Sequence, residues 1–171
     1  MKRLLALLAA VVFALAAYAH DVKNLELQVA VDKSGGAVVT QLWEINVSSQ
    51  NTEWFFPIEN LGPMKVGSLE VSENGVPFTS LGDDWDVDRS RSWKAGKCGI
   101  VRKSNGVELC WGLGDPGLHH WVVKYYMSGL VQGYDDADAF NFQFVKPGNS
   151  ASPDHVKSHH LPFLHLPHMD L

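Results

Sequence analysis

The sequence holds little of what marks a reaction centre or a membrane protein. It has two cysteines, Cys98 and Cys110, in 171 residues and no Gly-x-Ser-x-Gly elbow, so no serine or cysteine nucleophile stands out. Its longest apolar run, Leu4 to Ala17, covers about 14 residues, short of the roughly 20 that a bilayer-spanning helix needs. Positive charge is also scarce: 14 basic residues against 19 acidic ones give a net charge of −5, which argues against nucleic acid and anionic membrane as partners. Internal repeats are absent, and past the first twenty residues so is the 3.6-residue period of an amphipathic helix, so solenoids and helix bundles are excluded.

What is present begins with an address. Met1-Lys-Arg, the apolar run and Ala17-Tyr18-Ala19 match the three parts of a secretory signal peptide. Cleavage is expected after Ala19, which would leave 152 residues starting at His20, with 12 basic against 19 acidic residues and a net charge of −7. The expected location is outside the cytoplasm, periplasmic or extracellular, with no membrane span in the mature chain. With 46% hydrophobic residues and six tryptophans, one domain with a substantial core is expected.

The rest of the chain has the two-residue period of half-buried strands. Leu25, Leu27, Val29 and Val31 alternate with Glu26, Gln28 and Ala30, and after a turn at Asp32 to Gly36 the same parity recurs in Val39, Trp43, Ile45 and Val47. Asp21 to Val47 therefore reads as an antiparallel hairpin with one buried face. Glu53 to Glu59 reads as a short aromatic strand whose Pro57, lacking an amide hydrogen, favours a sheet edge or a strand end. Val66 to Val71 reads as a strand that turns at Glu73-Asn-Gly75 into a short return. Leu81 to Ser92 is a surface loop, His119 to Tyr126 a strand, and Phe140, Phe142 and Phe144 a further strand. These elements predict an all-β fold, a single antiparallel β-sandwich with a barrel as the alternative. The domain is placed at residues 20–157, after a signal-peptide helix at 1–19. Residues 158–171 form an unstructured tail, because Pro162 and Pro167 break both helix and strand.

Cys98 and Cys110 flank a turn signal at Ser104-Asn105-Gly106 between β-prone runs. In an exported chain two cysteines pair most simply with each other, and such a bridge would contribute on the order of 3 kcal/mol. The register is in tension with this. An Asn105-Gly106 turn would put Cys98 opposite Leu113, whereas a direct bridge centres the hairpin on Ser104; the cysteines are given precedence, with a bulge to reconcile the two.

Six segments resemble a known family in unbroken order from about Asp21 to Lys157. They are Val39-Thr-Gln-Leu-Trp-Glu-Ile-Asn-Val47, Glu53-Trp-Phe-Phe-Pro-Ile-Glu-Asn-Leu-Gly62, Asp84-Trp-Asp-Val-Asp-Arg-Ser90, Ala95-Gly-Lys-Cys-Gly-Ile-Val101, Glu108-Leu-Cys-Trp-Gly-Leu-Gly114 and Phe140-Asn-Phe-Gln-Phe-Val-Lys-Pro-Gly148. The family is the bacterial domain-of-unknown-function family 2207, the N-terminal extracytoplasmic domain of predicted membrane proteins. The resemblance implies a β-rich domain on the outer side of the cytoplasmic membrane. It implies no reaction, and no catalytic residues carry over. Members continue into transmembrane helices, whereas Ser158 to Leu171 here holds four histidines and two prolines.

Two residue sets could carry chemistry. Processing after Ala19 would make His20 the N-terminal residue, whose amine and imidazole could bind copper together with His119 or His120 in an oxidative enzyme. Asp84, Asp86 and Asp88 have the spacing of the first carboxylates of a calcium loop, but Arg89 replaces its glycine and Ala95 its final glutamate. Neither set is complete, so no metal and no cofactor is expected. The function expected is a non-catalytic binding or sensing module of the bacterial envelope, its partner an envelope protein or a glycan. The copper enzyme is the alternative.

Overall fold

The computed structural model describes residues 21–133, 135, 138–145 and 153–161. The expected first hairpin is present: β1 (Asp21–Val31) pairs antiparallel with β2 (Ala37–Val47), and Leu25, Leu27, Val29, Val39, Trp43 and Ile45 are buried on one face. Its turn is tied by Asp32. Oδ1 accepts from the amides of Ser34 at 2.7 Å and Gly36 at 3.1 Å, and Oδ2 accepts from Tyr126 Oη at 2.8 Å.

The chain continues through β3 (Glu53–Glu59), β4 (Lys65–Glu73), β5 (Val76–Pro77) and β6 (Thr79–Ser80). After the single-turn helix α1 (Arg91–Lys94) come β7 (Lys97–Lys103), β8 (Gly106–Gly112), β9 (Gly117–Ser128), the short β10 (Gln132–Gly133) and β11 (Asp138–Ala139), and β12 (His155–Leu161). One sheet has the order β12-β1-β2-β9-β4-β5 and a second the order β3-β8-β7-β6, while β10 and β11 pair separately. Between β4 and β5, Asn74 at φ 49° and Gly75 at φ 81° form the expected left-handed turn.

Tryptophans from both sheets meet in the core. Trp43 of β2 lies with its ring 5.7 Å from Trp54 of β3 and 6.4 Å from Trp111 of β8, and Trp111 lies 5.9 Å from Trp121 of β9. Edge-on and tilted contacts of this kind suit the ring quadrupoles and bury a large apolar area. Among the described residues, the one buried uncharged polar side chain is Gln41. Its Oε1 accepts from Trp43 Nε1 at 3.0 Å, and its Nε2 donates to Tyr125 Oη at 3.5 Å. The architecture is the expected all-β sandwich.

Four expectations are corrected. The first is the bridge, since Cys98 and Cys110 are both free and buried. The β7–β8 hairpin turns through Ser104 and Asn105, so Cys98 stands opposite Trp111 and Cys110 opposite Gly99. Successive side chains point to opposite faces of a sheet, so this one-residue offset sends the two thiols to different faces. Cys98 belongs to the core cluster and Cys110 does not. Gly106 serves the pairing rather than the turn, because a Cβ there would stand 2.1 Å from the Ile58 carbonyl oxygen of β3.

The second correction concerns Phe140 to Phe144, which form no strand despite their alternation. Phe142 and Phe144 instead pack on one another at 5.0 Å and against the core. Third, β12 crosses the expected domain boundary: Asn24 opposite His155 through Ala30 opposite Leu161 run parallel, so Ser158 to Leu161 belong to the sheet. Fourth, the sandwich is not purely antiparallel, since β6 also pairs parallel to β7. The expected signal helix, His20 and the tail beyond Leu161 lie outside the described residues.

Candidate binding groove

Two loops decide which faces of the sandwich are open. On the outer face of the four-stranded sheet, the stretch from Leu81 to Ala95 is held down as a cover. Gly99 and Gly112 make room for it: a Cβ at Gly99 would come within 2.9 Å of Trp85 Cβ, and one at Gly112 within 2.0 Å of the Lys94 carbonyl oxygen. Glu53 anchors the cover, its Oε2 accepting from Trp85 Nε1 at 2.7 Å and from Lys94 Nζ at 2.9 Å. Lys94 is fully buried and also donates to Thr52 Oγ1 at 2.8 Å and to the Val87 carbonyl at 2.6 Å, so its three protons are all placed. Arg91 donates to the carbonyls of Ser48, Asn51 and Gly114, tying this cover to two further loops. A buried lysine satisfied on every side is a fastening, not a reagent.

The side of the sandwich between β4 and β7 is open at one end. At the other end the chain crosses between the sheets through β5 and β6: Phe78 donates to the Val71 carbonyl, Thr79 to that of Gly96 and Leu81 to that of Cys98, each at 2.8 Å. Beyond this lacing, no strand among the described residues lies on the groove side of Lys65 to Leu69 in β4, or of Val101 to Lys103 in β7. A groove of about 1040 Å³ runs between the two edges. Its floor is apolar, with Leu61, Val66, Leu69, Ile100 and Val107 all buried, and Lys65, Asp83, Arg102 and Lys103 stand along its rim.

One side chain spans it. From β7, Arg102 Nη1 donates to the Val66 carbonyl of β4 at 2.7 Å, while its Nε lies 3.0 and 3.1 Å from the two carboxylate oxygens of Asp83. On the β4 side a bulge interrupts the pairing with β9 between Gly67 and Glu70, and Ser68 takes φ 52°. The bulge explains why Val66 and Leu69 both face inward across an odd spacing.

Of the described residues singled out for chemistry, only Asp84 borders this groove, and the two histidines and three aspartates are not brought together into one cluster. His119 and His120 are neighbours in β9 and so point to opposite faces. His119 stacks on Trp121 at 5.0 Å, with Nδ1 2.5 Å from Glu73 Oε1 and Nε2 2.7 Å from the Asp115 carbonyl oxygen, so both ring nitrogens are engaged. His120 lies 3.8 Å from Glu44. Asp86 serves its own turn: the Asp88 amide, at 3.0 Å, and then Arg89, at 2.9 Å, hold its carboxyl below the usual range. Asp84 borders the groove and Asp88 is exposed. No group of three or more His, Cys, Asp or Glu is arranged to hold a metal ion among the described residues. No helix among them is long and apolar enough to cross a membrane. Arg102 and the Val66 carbonyl escaped the sequence reading, although the broken spacing of Val66, Leu69 and Val71 was a legible sign of the bulge.

The fold thus defines a sandwich with one groove open along its side. No family model matches the chain, and no curated protein matches it. Among solved structures it is similar to a two-domain M1 zinc metallopeptidase mutant bound to L-tryptophan, at 13% identity and a TM-score of 0.36 over 68% of this chain and 22% of that one. It is likewise similar to an M1 zinc metallopeptidase mutant from Deinococcus radiodurans, at 12% identity and a TM-score of 0.34 over 67% of this chain and 22% of that one. A putative protease from Parabacteroides distasonis matches at 8% identity and a TM-score of 0.34, over 64% of this chain and 23% of that one. The chain spans less than a quarter of the length of each.

Proposed function

We propose that this protein is an extracytoplasmic, non-catalytic binding module of the bacterial envelope and that the groove between β4 and β7 is its contact surface. The observation that carries this is the groove itself, where both sheets end in open strand edges above an apolar floor. Pockets with apolar floors and a few placed polar groups are the usual form of binding sites. The signal-like start and the resemblance to family 2207 support the envelope address. The anchored cover on the four-stranded sheet supports a rigid frame, which lowers the ordering cost of binding.

The test uses the full chain and a variant in which Lys65, exposed on the groove rim, becomes tryptophan. Envelope extract passed over both is expected to leave the same partner on the native chain and none on Lys65→Trp. A partner held equally by both, or none held by the folded native chain, would count against the groove.

A further inference from the structure

The groove's hydrogen bonding indicates the chemistry of what it holds. In an antiparallel sheet, the N–H and C=O of a residue point the same way, toward one neighbouring strand. Val66 directs its carbonyl away from β9 and into the groove, where the donor is a side chain from the other sheet, Arg102 Nη1 at 2.7 Å. The guanidinium stands where the amide of an adjoining strand would stand. Arg102 is half exposed and steadied by Asp83, so it can withdraw without leaving a buried charge behind.

Other ligand classes fit less well. Among the described residues the groove lining contains no aromatic side chain to serve as the stacking platform that sugars favour. Its rim charges are largely spent, Arg102 on Asp83 at 3.0 Å and Lys103 on Glu108 at 3.1 Å, so a strongly charged ligand finds little to pair with. An extended backbone meets the edge directly, and every second side chain of such a strand would reach the floor at Leu69, Ile100 and Val107.

Resting on the binding reading above, we propose that the groove takes an extended polypeptide segment as an added strand on the Lys65–Leu69 edge of β4. Arg102 holds the Val66 carbonyl until an amide of that segment replaces it. The open edge accommodates about five residues, roughly 17 Å of extended chain.

The experiment titrates the isotope-labelled full chain with a decapeptide of alternating valine and threonine and with the same peptide carrying proline at every third position. A soluble oligosaccharide is titrated in parallel. The alternating peptide is expected to shift the amides of Lys65 to Leu69 and to slow exchange at Val66, whose N–H faces the groove with its carbonyl, and the proline peptide to leave them unchanged. Arg102→Ala frees the carbonyl and is expected to tighten the alternating peptide roughly threefold to tenfold, with Arg102→Lys, which keeps the cation, falling between. Absence of protection at Val66, or binding of the oligosaccharide alone, overturns the proposal. So does an Arg102→Ala chain that self-associates through this edge without binding peptide, because Arg102 would then be a guard against edge pairing. If the peptides fail while the partner from envelope extract is still lost in Lys65→Trp, the strand proposal falls and the binding reading stands. If both fail, both fall.

Discussion

Lys94 Nζ lies 2.9 Å from Glu53 Oε2, in an ion pair whose lysine is fully buried and whose partners are separated by the whole of β3 to α1. Removing one member of such a pair strands the other. Glu53→Gln is expected to cost about 3–5 kcal/mol in urea unfolding, whereas adding Lys94→Met to it should restore much of that loss. A double variant as unstable as the sum of the two single ones would show that the pair is not a coupled fastening.

Gly112 sits under that fastening, where a Cβ would come within 2.0 Å of the Lys94 carbonyl oxygen. Gly112→Ala is therefore expected to destabilise the fold by about 1–3 kcal/mol and to raise the exposure of Trp85 to quenchers. Unchanged stability and unchanged fluorescence would mean that the cover rests elsewhere.

Burial pushes the Cys98 thiol up to about 11 and the Cys110 thiol up to about 12, against an ordinary value of 9.0. The folded chain is thus expected to show two thiols to an aromatic disulfide reagent only after denaturation, with little reaction beforehand at neutral pH. The protonated thiols are favoured by folding, so their contribution to stability is complete below pH 9 and is lost as pH rises through 9 toward 11 and 12. Finding no titratable thiol in the denatured, unreduced chain would restore the bridge.

At the β1–β2 turn the sign is reversed. Burial alone would raise the Asp32 carboxyl, but the hydroxyls of Ser34 and Tyr126 and the amides of Ser34 and Gly36 outweigh it and hold the group below its ordinary 3.8. The stability this supplies is present above that value and is lost as pH falls through the folded value. Asp32→Asn should flatten the acid limb of a thermal-stability profile. An unaltered acid limb would assign it to other carboxylates.

Removing residues 155–171 strips β12 from β1 along seven paired positions. A fall in the thermal midpoint on the order of 5 °C or more is expected, together with faster amide exchange in Leu25 to Val29. A midpoint that does not move would make β12 a passive addition to the sheet.

The parts legible in the sequence are those whose reason is local. Alternation over Leu25 to Val31 and Val39 to Val47 gave the first hairpin because each strand's partner is the next one in the chain. Phe140, Phe142 and Phe144 carry the same alternation, but here the rings pack on one another and on the core without a ladder of hydrogen bonds. The cysteines misled because two apolar runs fix a hairpin only to within one residue, and one residue decides the face. β12 went unread since a parallel partner leaves no turn to mark it, and Pro162 lies just past the pairing. Nothing local ties Glu53 to Lys94, or Arg102 to the Val66 carbonyl, because both relations exist only once the sheets have met.

The parallel pairing of β1 with β12 also sets an order in time. Asn24 finds its outer neighbour only when His155 has arrived, so the first strand of the sandwich waits for all of β2 to β11 with one edge bare. Long-range pairing of this kind slows folding, because a large loop must close before any contact rewards it. As the chain emerges, β2 can shield β1 on one side at once, and the late arrival of β12 then completes the other. The nascent domain is most vulnerable to sticking to its neighbours in that interval, and a chaperone acting on it would have its task at the bare edge of β1.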